Sequence, residues 1–136
     1  MIAVKATREG LIGQKTATGW TISKHVPYVA LPSHAALHQW IVVQNASNGK
    51  FIAAIVLDVG PWNEDDDEYV FGTARPLAET GTDTRGRATN HAGIDLGEFV
   101  WDYLEMVDNG EVSWGFLTLP ETWTELHAKI GTGSAG

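Results

Sequence analysis

The pattern of apolar and polar residues predicts a protein made mostly of short strands. Short apolar runs separated by glycine-rich turns are typical of strands. Such runs cover Ile2 to Ala6, Ile41 to Val43, Phe51 to Val59 and Val112 to Leu119. Asn48-Gly49 is a strong hairpin turn signal. The run that follows it, Phe51 to Val59, is apolar enough to predict burial on both faces of the strand.

One clear helix is predicted over Leu96 to Val107, where apolar residues recur three and four positions apart. Asp95, followed by Glu98 three residues later, resembles a capping box at the start of this helix. Asn109-Gly110 would end it. As the N-cap residue, Asp95 would have a lowered pKa, because a helix N-terminus favours the charged carboxylate.

The chain length fits a single domain, expected over residues 1–130. The chain has 136 residues, of which 43% are hydrophobic, enough to bury a core. Residues 63–92 form a long polar insertion, and such loops in compact domains are usually functional or mobile. A second, weaker helix is predicted after Pro120, and residues 131–136 are predicted to be a disordered tail.

The charge balance excludes several classes of partner. A net charge of −8 argues against nucleic acid, which requires clustered lysine and arginine. A neutral or cationic ligand fits better, as does an anionic one held by a few placed arginines. No apolar run approaches the roughly 20 residues of a membrane span, and Met1–Lys5 lacks the apolar region of a signal peptide. We therefore expect no membrane partner. We also expect no cofactor and a monomer.

Metal binding is not favoured by the sequence. The chain has no cysteine, which excludes disulfides and thiolate metal sites. His34 and His38 have the spacing of metal ligands on a helix, but they lack the glutamate of the metalloprotease pattern. The acidic run at 63–68 lacks the fixed glycine and terminal glutamate of an EF-hand, so it is interpreted as a solvated loop.

Two carboxylates are candidates for catalysis. Asp58 ends an apolar run and directly precedes Val59-Gly60-Pro61-Trp62, and Asp95 follows Ile94. Cleavage of a glycosidic bond commonly uses one acid to protonate the leaving oxygen and a second carboxylate as base or nucleophile. Each residue also has a structural explanation, because Asp58 could cap the following turn and Asp95 could cap the helix.

The tryptophans suggest a surface for sugar rings. Of the six, Trp62 and Trp20 lie at loop positions and are candidates for stacking against a carbohydrate. Trp101 and Trp114 lie within predicted regular elements and are expected in the core.

Several segments, in order, resemble the double-psi β-barrel family that contains rare lipoprotein A, the expansins and family 45 endoglucanases. The lipoprotein patterns are Lys-Thr-Ala-Ser-Gly, Thr-Leu-Pro, Val-x-Val-x-Asn with Asn-Gly-Arg, Val-Asn-Asp-Arg-Gly-Pro-Phe and Ile-Ile-Asp-Leu-Ser. They are matched by Lys15–Gly19, Ala30–Pro32, Ile41–Asn45 with Asn48–Lys50, Val56–Trp62 and Gly93–Gly97. The resemblance implies an all-β fold with one or two short helices, a six-stranded double-psi β-barrel with a ligand groove across one face.

The resemblance also implies roles for both carboxylates. In lytic transglycosylases that resemble rare lipoprotein A, the aspartate of Asp-x-Gly-Pro is catalytic, which implies an acid/base role for Asp58. In family 45 endoglucanases the aspartate of His-Phe-Asp is the general acid. This implies that Asp95 is the second carboxylate or stabilises the oxocarbenium ion, although Gly93 replaces the histidine. Tyr28 stands where the lipoprotein pattern has a catalytic histidine, and with an ordinary pKa near 10 it is a poor base.

The predicted function is cleavage of a β-linked cell-wall polysaccharide by lytic transglycosylase or muramidase-type chemistry, with peptidoglycan as the expected substrate. The expected location is the cell envelope or the extracellular space, after secretion or phage release. The candidate substrate-binding residues are Trp62, Trp20, Tyr28, Arg87 and His91. Two alternatives remain open: a non-catalytic, expansin-like binding module, and a structural barrel of a phage or multidomain assembly.

Overall fold

A computed structural model describes residues 1–117, which fold into a closed six-stranded β-barrel. The strands are β1 (Ile2–Arg8), β2 (Tyr28–Leu31), β3 (Trp40–Asn45), β4 (Phe51–Val59), β5 (Ile94–Leu96) and β6 (Gly110–Phe116). They close in the order β1-β5-β2-β4-β3-β6. The pairs β1–β5 and β2–β4 are parallel and the other four are antiparallel. The predicted all-β, double-psi barrel with short helices is confirmed.

The core lies inside the barrel and is built from alternate residues of the strands. Its fully buried strand residues include Ala6, Val29, Leu31, Ile41, Val43, Ala54, Val56, Ile94, Leu96 and Val112. Trp101 and Trp114 are also buried in this core, as predicted. The prediction that β4 is buried on both faces is wrong. Phe51 is 64% exposed, because one face of β4 looks outward from the barrel.

The helix after β5 is shorter than predicted. This helix, α2, spans Glu98–Tyr103, and its N-cap is Gly97, with no side-chain capping bond. The predicted capping box is therefore wrong. Asp95 lies in β5, where it is paired with Thr7 of β1 and Ala30 of β2. Pairing within the sheet keeps Asp95 in extended backbone and prevents the helix from starting there.

The end of α2 is fixed by two asparagines from the β3–β4 hairpin. The side-chain amides of Asn45 and Asn48 both donate to the carbonyl oxygen of Leu104, each at 2.9 Å. A carbonyl in the last turn of a helix has no partner within the helix, so these donors replace it. Glu105 then adopts a φ of 54°, which turns the chain out of the helical path.

The insertion at 63–92 packs onto the barrel. It contains α1 (Asp67–Val70) and a 3₁₀ turn at Leu77–Thr80. The Tyr69 hydroxyl donates to the carbonyl of Gly93 at 2.9 Å and accepts from Trp114 Nε1 at 2.7 Å. The interpretation of the acidic run as a solvated loop is wrong at Asp66, which is 3% exposed and accepts a hydrogen bond from the Leu77 amide.

No helix among residues 1–117 is long and apolar enough to cross a membrane. The helix predicted after Pro120 and the tail predicted at 131–136 lie outside the described residues. The end of the predicted domain, at residue 130, lies outside them as well.

Candidate functional site

A row of residues on the outer face of the barrel brings the two candidate carboxylates together. The strand register pairs Asp58 of β4 with Ala30 of β2, and Ala30 with Asp95 of β5. Directly paired residues project from the same face of a sheet. Two strand spacings place the backbones of the two aspartates about 9–10 Å apart. Because Ala30 carries only a methyl group between them, their longer side chains can converge above it.

A β-bulge is what turns Asp58 to this outer face. Ala54 and Val56 point into the core, and strict alternation would send Asp58 inward as well. The register of β4 shifts by one residue, however. Val29 pairs with Val56, but the next residue of β2 pairs with Asp58, so that Leu57 is extra. A bulge re-aims the side chains that follow it, and here it carries Asp58 out of the core.

Asp58 is held in place by two backbone amides. Its Oδ1 accepts from the amides of Val59 and Ala17, each at 2.9 Å. The bond to Val59 shows that Asp58 does cap the turn that follows it. The bond to Ala17 docks the Lys15–Gly19 segment against β4, and Thr18 adds a 3.3 Å bond to the Leu57 carbonyl. Two segments of the predicted pattern therefore meet at this carboxylate.

Glu9, directly after β1, joins the two aspartates and was missed by the sequence analysis. Burial raises the pKa of Glu9 to about 8; the close polar contact with Asp58 adds to the rise, and the contact with Tyr28 opposes it. The charges of Asp58 and Asp95 raise this pKa further. We call Glu9, Asp58, Asp95 and Tyr28 the acid cluster. The available signal was alternation in β1, because Val4 and Ala6 point inward and the same period sends Thr7 and Glu9 outward.

Tyr28 contributes a buried hydroxyl to the acid cluster. The residue is 0% exposed, and burial followed by Glu9 raises its pKa above the ordinary value, so the hydroxyl stays protonated. Within residues 1–117, neither this hydroxyl nor Glu9 Oε2 forms a hydrogen bond of ordinary geometry. Tyr28 and Glu9 therefore make a close polar contact without a hydrogen bond. A protonated hydroxyl can donate, which is the chemical role left to Tyr28.

Asp95 titrates between ordinary aspartate and Glu9. Burial raises the pKa of Asp95 to about 6; a hydrogen bond from the Thr7 hydroxyl opposes the rise and the charge of Asp58 adds to it. The expected lowering of this pKa is wrong. Asp95 lies in a strand and not at the helix start, so burial outweighs any effect of the helix.

The two candidate stacking residues flank the acid cluster differently. Trp20 packs edge-on against Tyr28, with ring centroids 5.1 Å apart and an interplanar angle of 70°. Trp62 follows the cis Gly60–Pro61 bond, and its Nε1 donates to Asn90 Oδ1 at 2.8 Å. A Cβ on Gly60 would lie 3.9 Å from the Trp62 amide and 4.0 Å from Asp95 Oδ2. Trp20 thus borders the cluster through Tyr28. The Trp62 ring lies beside Asn90 and Arg87, and only the Trp62 backbone approaches Gly60.

The two insertion residues predicted to contact ligand have different positions. Arg87 pairs with Asp83 at 2.5 Å, donates to the Trp62 carbonyl at 3.0 Å and lies 6.0 Å from the Trp62 ring centroid. It therefore belongs to the surroundings of Trp62. His91 is exposed, and its Nδ1 lies 3.1 Å from the Glu79 carbonyl oxygen. This contact holds His91 against the 3₁₀ turn of the insertion.

The candidate metal ligands do not form a centre in the described part of the chain. Among residues 1–117, no group of three or more histidine, aspartate or glutamate side chains could hold a metal ion. His34 lies in a 3₁₀ turn at His34–Ala36, and His38, with a φ of 69°, lies beyond that turn. The two are therefore not on one helix.

The raised pKa of Glu9 predicts how stability depends on pH. Folding raises this pKa from 4.5 to about 8, so the native state binds more protons between these values. The stability that protonated Glu9 contributes is complete below pH 4.5 and is lost as the pH rises through about 8. Glu9→Gln keeps the neutral form at every pH. At about pH 8.5 we therefore expect Glu9→Gln to be more stable than wild type, with a free energy of unfolding about 1–3 kcal/mol higher.

Urea unfolding at about pH 4.5, 6.5 and 8.5 measures this difference. Exposed Glu111 provides the matched control, because Glu111→Gln should leave the pH dependence of wild type intact. Equal pH dependence of wild type and Glu9→Gln would contradict the buried, protonated state of Glu9.

Several solved structures are similar to this barrel. Cerato-platanin 3 from M. perniciosa aligns with a TM-score of 0.50 and 11% identity, over 86% of this chain and 95% of that one. The Streptomyces papain inhibitor aligns with a TM-score of 0.45 and 16% identity, over 83% and 92%. A GH45 endoglucanase in complex with cellobiose aligns with a TM-score of 0.45 and 13% identity, over 95% and 86%. At these identities the cerato-platanin match shows the fold alone, and the other two carry no further conclusion.

The family assignment comes from sequence. No curated protein matches the chain. A family model described as "Domain of unknown function (DUF8814)" matches residues 1–114, which extend from β1 into β6. The chain therefore belongs to the DUF8814 family, and the family domain here is a double-psi β-barrel.

Proposed function

We propose that the protein cleaves a β-linked cell-wall glycan, with peptidoglycan as the favoured substrate. The observation that carries the proposal is the acid cluster, in which the pKa of Glu9 is about 8 beside Asp58 and Asp95. Clustered carboxyl groups whose environments separate their pKa values are typical of acid/base sites. Trp20 borders the cluster through Tyr28 and offers apolar ring surface to a sugar, and the Trp62 ring lies farther along, beside Asn90 and Arg87.

The cluster can supply the proton that glycosidic cleavage needs. Because the pKa of Glu9 is about 8, Glu9 holds a proton at neutral pH, next to Asp58. Glu9 Oε2 is buried, so Asp58 is the member we assign to contact the leaving oxygen as acid/base. Glu9 is a positioning residue that keeps its proton beside Asp58. After the bond breaks, Asp58 accepts a proton from the attacking hydroxyl group, which belongs to water or to the sugar itself.

Asp95 supplies the opposite charge state. Its pKa of about 6 leaves it mostly ionised at neutral pH, while the Thr7 hydroxyl orients its Oδ1. A carboxylate beside the sugar ring stabilises the positive charge that develops as the glycosidic bond breaks. Asp95 is therefore assigned as the second carboxylate, and its charge falls below about pH 6.

Digestion of intact wall polymers tests this proposal. Purified protein is incubated separately with peptidoglycan, chitin and cellulose, and the soluble products are identified by mass spectrometry. We expect soluble fragments from peptidoglycan. Anhydro ends would show attack by a sugar hydroxyl, and reducing ends would show attack by water. Absence of soluble fragments from all three polymers would contradict the proposal.

A non-catalytic binding module is the second candidate. The two amide bonds to Asp58 Oδ1 favour it, because they are also the bonds that a purely structural turn cap makes. The discriminating observation is sedimentation of the protein with an insoluble glycan while no fragment is released. Loss of that sedimentation in Trp62→Ala would place the binding surface beside the insertion.

A further inference from the structure

A second cleft lies between the end of β4 and the insertion, next to the acid cluster. It has a volume of about 240 Å³, and its lining includes Gly60, Trp62, Asn63, Glu64, Arg85 and Arg87. Gly60 joins the two sites, because a Cβ built on it would lie 4.0 Å from Asp95 Oδ2. A glycan that reaches Asp95 can therefore place a neighbouring sugar unit in this cleft.

Asn63 lines this cleft and carries a buried donor that lacks an acceptor among residues 1–117. The residue is 2% exposed, and its Oδ1 accepts from the Thr84 amide at 3.0 Å. This bond fixes the orientation of the side-chain amide, since only the oxygen can accept from an N–H group. Within residues 1–117, Asn63 Nδ2 has no hydrogen-bond partner. An unmade bond of this kind costs about 1–3 kcal/mol. Nδ2 is closed to solvent, so an oxygen atom of a ligand recovers this bond only when the cleft opens locally.

Arg85 supplies positive charge at the same cleft. Its Nη2 lies 3.5 Å from Glu64 Oε2, and the two side chains are 67% and 56% exposed. An ion pair this exposed contributes little to stability, so Arg85 can leave Glu64 and pair with an anion of a ligand at small cost. Arg87 differs, because its Nε is 2.5 Å from Asp83, whose side chain is fully buried. Arg85 is therefore the cation that a ligand can engage.

We propose that this cleft binds the carboxylate of an acidic sugar in the glycan, with Asn63 Nδ2 donating to one oxygen and Arg85 pairing with the charge. The net charge of −8 repels acidic glycans in general. An acidic sugar would therefore bind only where a local cation and a buried donor hold its carboxylate. A uronic acid and a lactyl ether of a sugar both present this carboxylate. This inference takes the choice of a cell-wall glycan from the proposed function, but it does not require that the protein cleaves that glycan.

Binding measurements test the cleft separately from cleavage. Isothermal titration at neutral pH compares three ligands: a neutral N-acetylglucosamine tetrasaccharide, a peptidoglycan tetrasaccharide with lactyl carboxylates, and a tetragalacturonate. All proteins carry Asp58→Asn, which prevents turnover. We expect the Asn63→Asp change to weaken binding of at least one acidic ligand by about tenfold or more. Binding of the neutral ligand should change by less than about twofold.

The variants are matched so that folding does not decide the outcome. Asn63→Asp keeps the oxygen that accepts from Thr84 and replaces only the donor. Arg85→Ala changes an exposed side chain and should also weaken acidic ligands selectively. Lys24→Ala removes an exposed charge elsewhere and should have no effect. Thermal unfolding confirms that each variant is folded. If Asn63→Asp does not fold, Arg85→Ala alone decides the test.

The outcomes separate this inference from the proposed function. Selective weakening for the lactyl ligand alone identifies the lactyl sugar, and weakening for both acidic ligands identifies the carboxylate itself. Selective acidic binding by a protein that releases no fragments would support the cleft and contradict the cleavage. Equal affinity for acidic and neutral ligands in all variants would overturn the cleft assignment.

Discussion

Asp58→Asn is expected to lower the rate of glycan cleavage by about 100-fold or more, because an amide can neither deliver nor accept the proton. The change should leave the fold intact, since the amide oxygen can still accept from the Val59 and Ala17 amides. Initial rates of soluble fragment release from peptidoglycan measure the loss. Thermal unfolding of the same samples shows whether the barrel is preserved.

Asp102→Asn is the matched control for this substitution. Asp102 lies on the exposed side of α2, and the chemical change is identical. Its rate should remain within about twofold of wild type. If Asp58→Asn also cleaved at the wild-type rate, Asp58 would be a turn cap only and the acid/base assignment would be lost.

Gly97→Ala is expected to lower the free energy of unfolding by about 2–3 kcal/mol and to disrupt the acid cluster. The backbone of Gly97, with φ −65° and ψ 164°, suits alanine, so the penalty is steric. The added Cβ would lie 2.4 Å from Tyr28 Cε1 and 2.6 Å from Cδ1. Tyr28 is fully buried against Trp20, so its ring cannot move away without displacing the hydroxyl beside Glu9.

Gly110→Ala provides the comparison for Gly97→Ala. The nearest atoms to a Cβ at Gly110 lie 3.7 Å away, which is ordinary contact distance. Urea unfolding of both variants and wild type gives the difference directly. Equal stability of the two variants would show that the Tyr28 ring can move freely, which contradicts a rigid cluster.

The fold was predictable because its evidence is spread along the chain. Ordered segments that resemble one family led to the double-psi barrel, and alternation within the strands placed the core. The prediction also selected Asp58 and Asp95, which the register places on one outer face, flanking Ala30. Whether they act on a glycan remains a prediction.

The parts that could not be predicted depend on long-range pairing. The bulge at Leu57 reverses the side-chain direction that strand alternation assigns to Asp58, and it exists only because β2 pairs with β4. Asp95 followed by Glu98 has the local pattern of a helix start, yet pairing within the sheet overrides it. Asp66 stands in an acidic run, and only the folded insertion brings the Leu77 amide to it.

Glu9 shows the same limit for the site. It is one of 17 acidic residues and belongs to none of the matched segments. Its raised pKa results from burial beside Asp58 and Tyr28, which are distant from it in sequence. Local sequence carries no signal for such proximity. The outward alternation of β1 makes Glu9 a candidate only once the barrel order is known.

The pH dependence of kcat/KM for peptidoglycan cleavage, measured for wild type and Glu9→Gln, tests most directly whether the acid cluster is a proton-donating site. For wild type, we predict activity that falls as the pH rises through about 8, because Glu9 then loses its proton. In Glu9→Gln this descending limb should be absent from that range and the rate should be lower. Wild-type activity that stays constant through about pH 9, or the same descending limb in both proteins, would contradict the account.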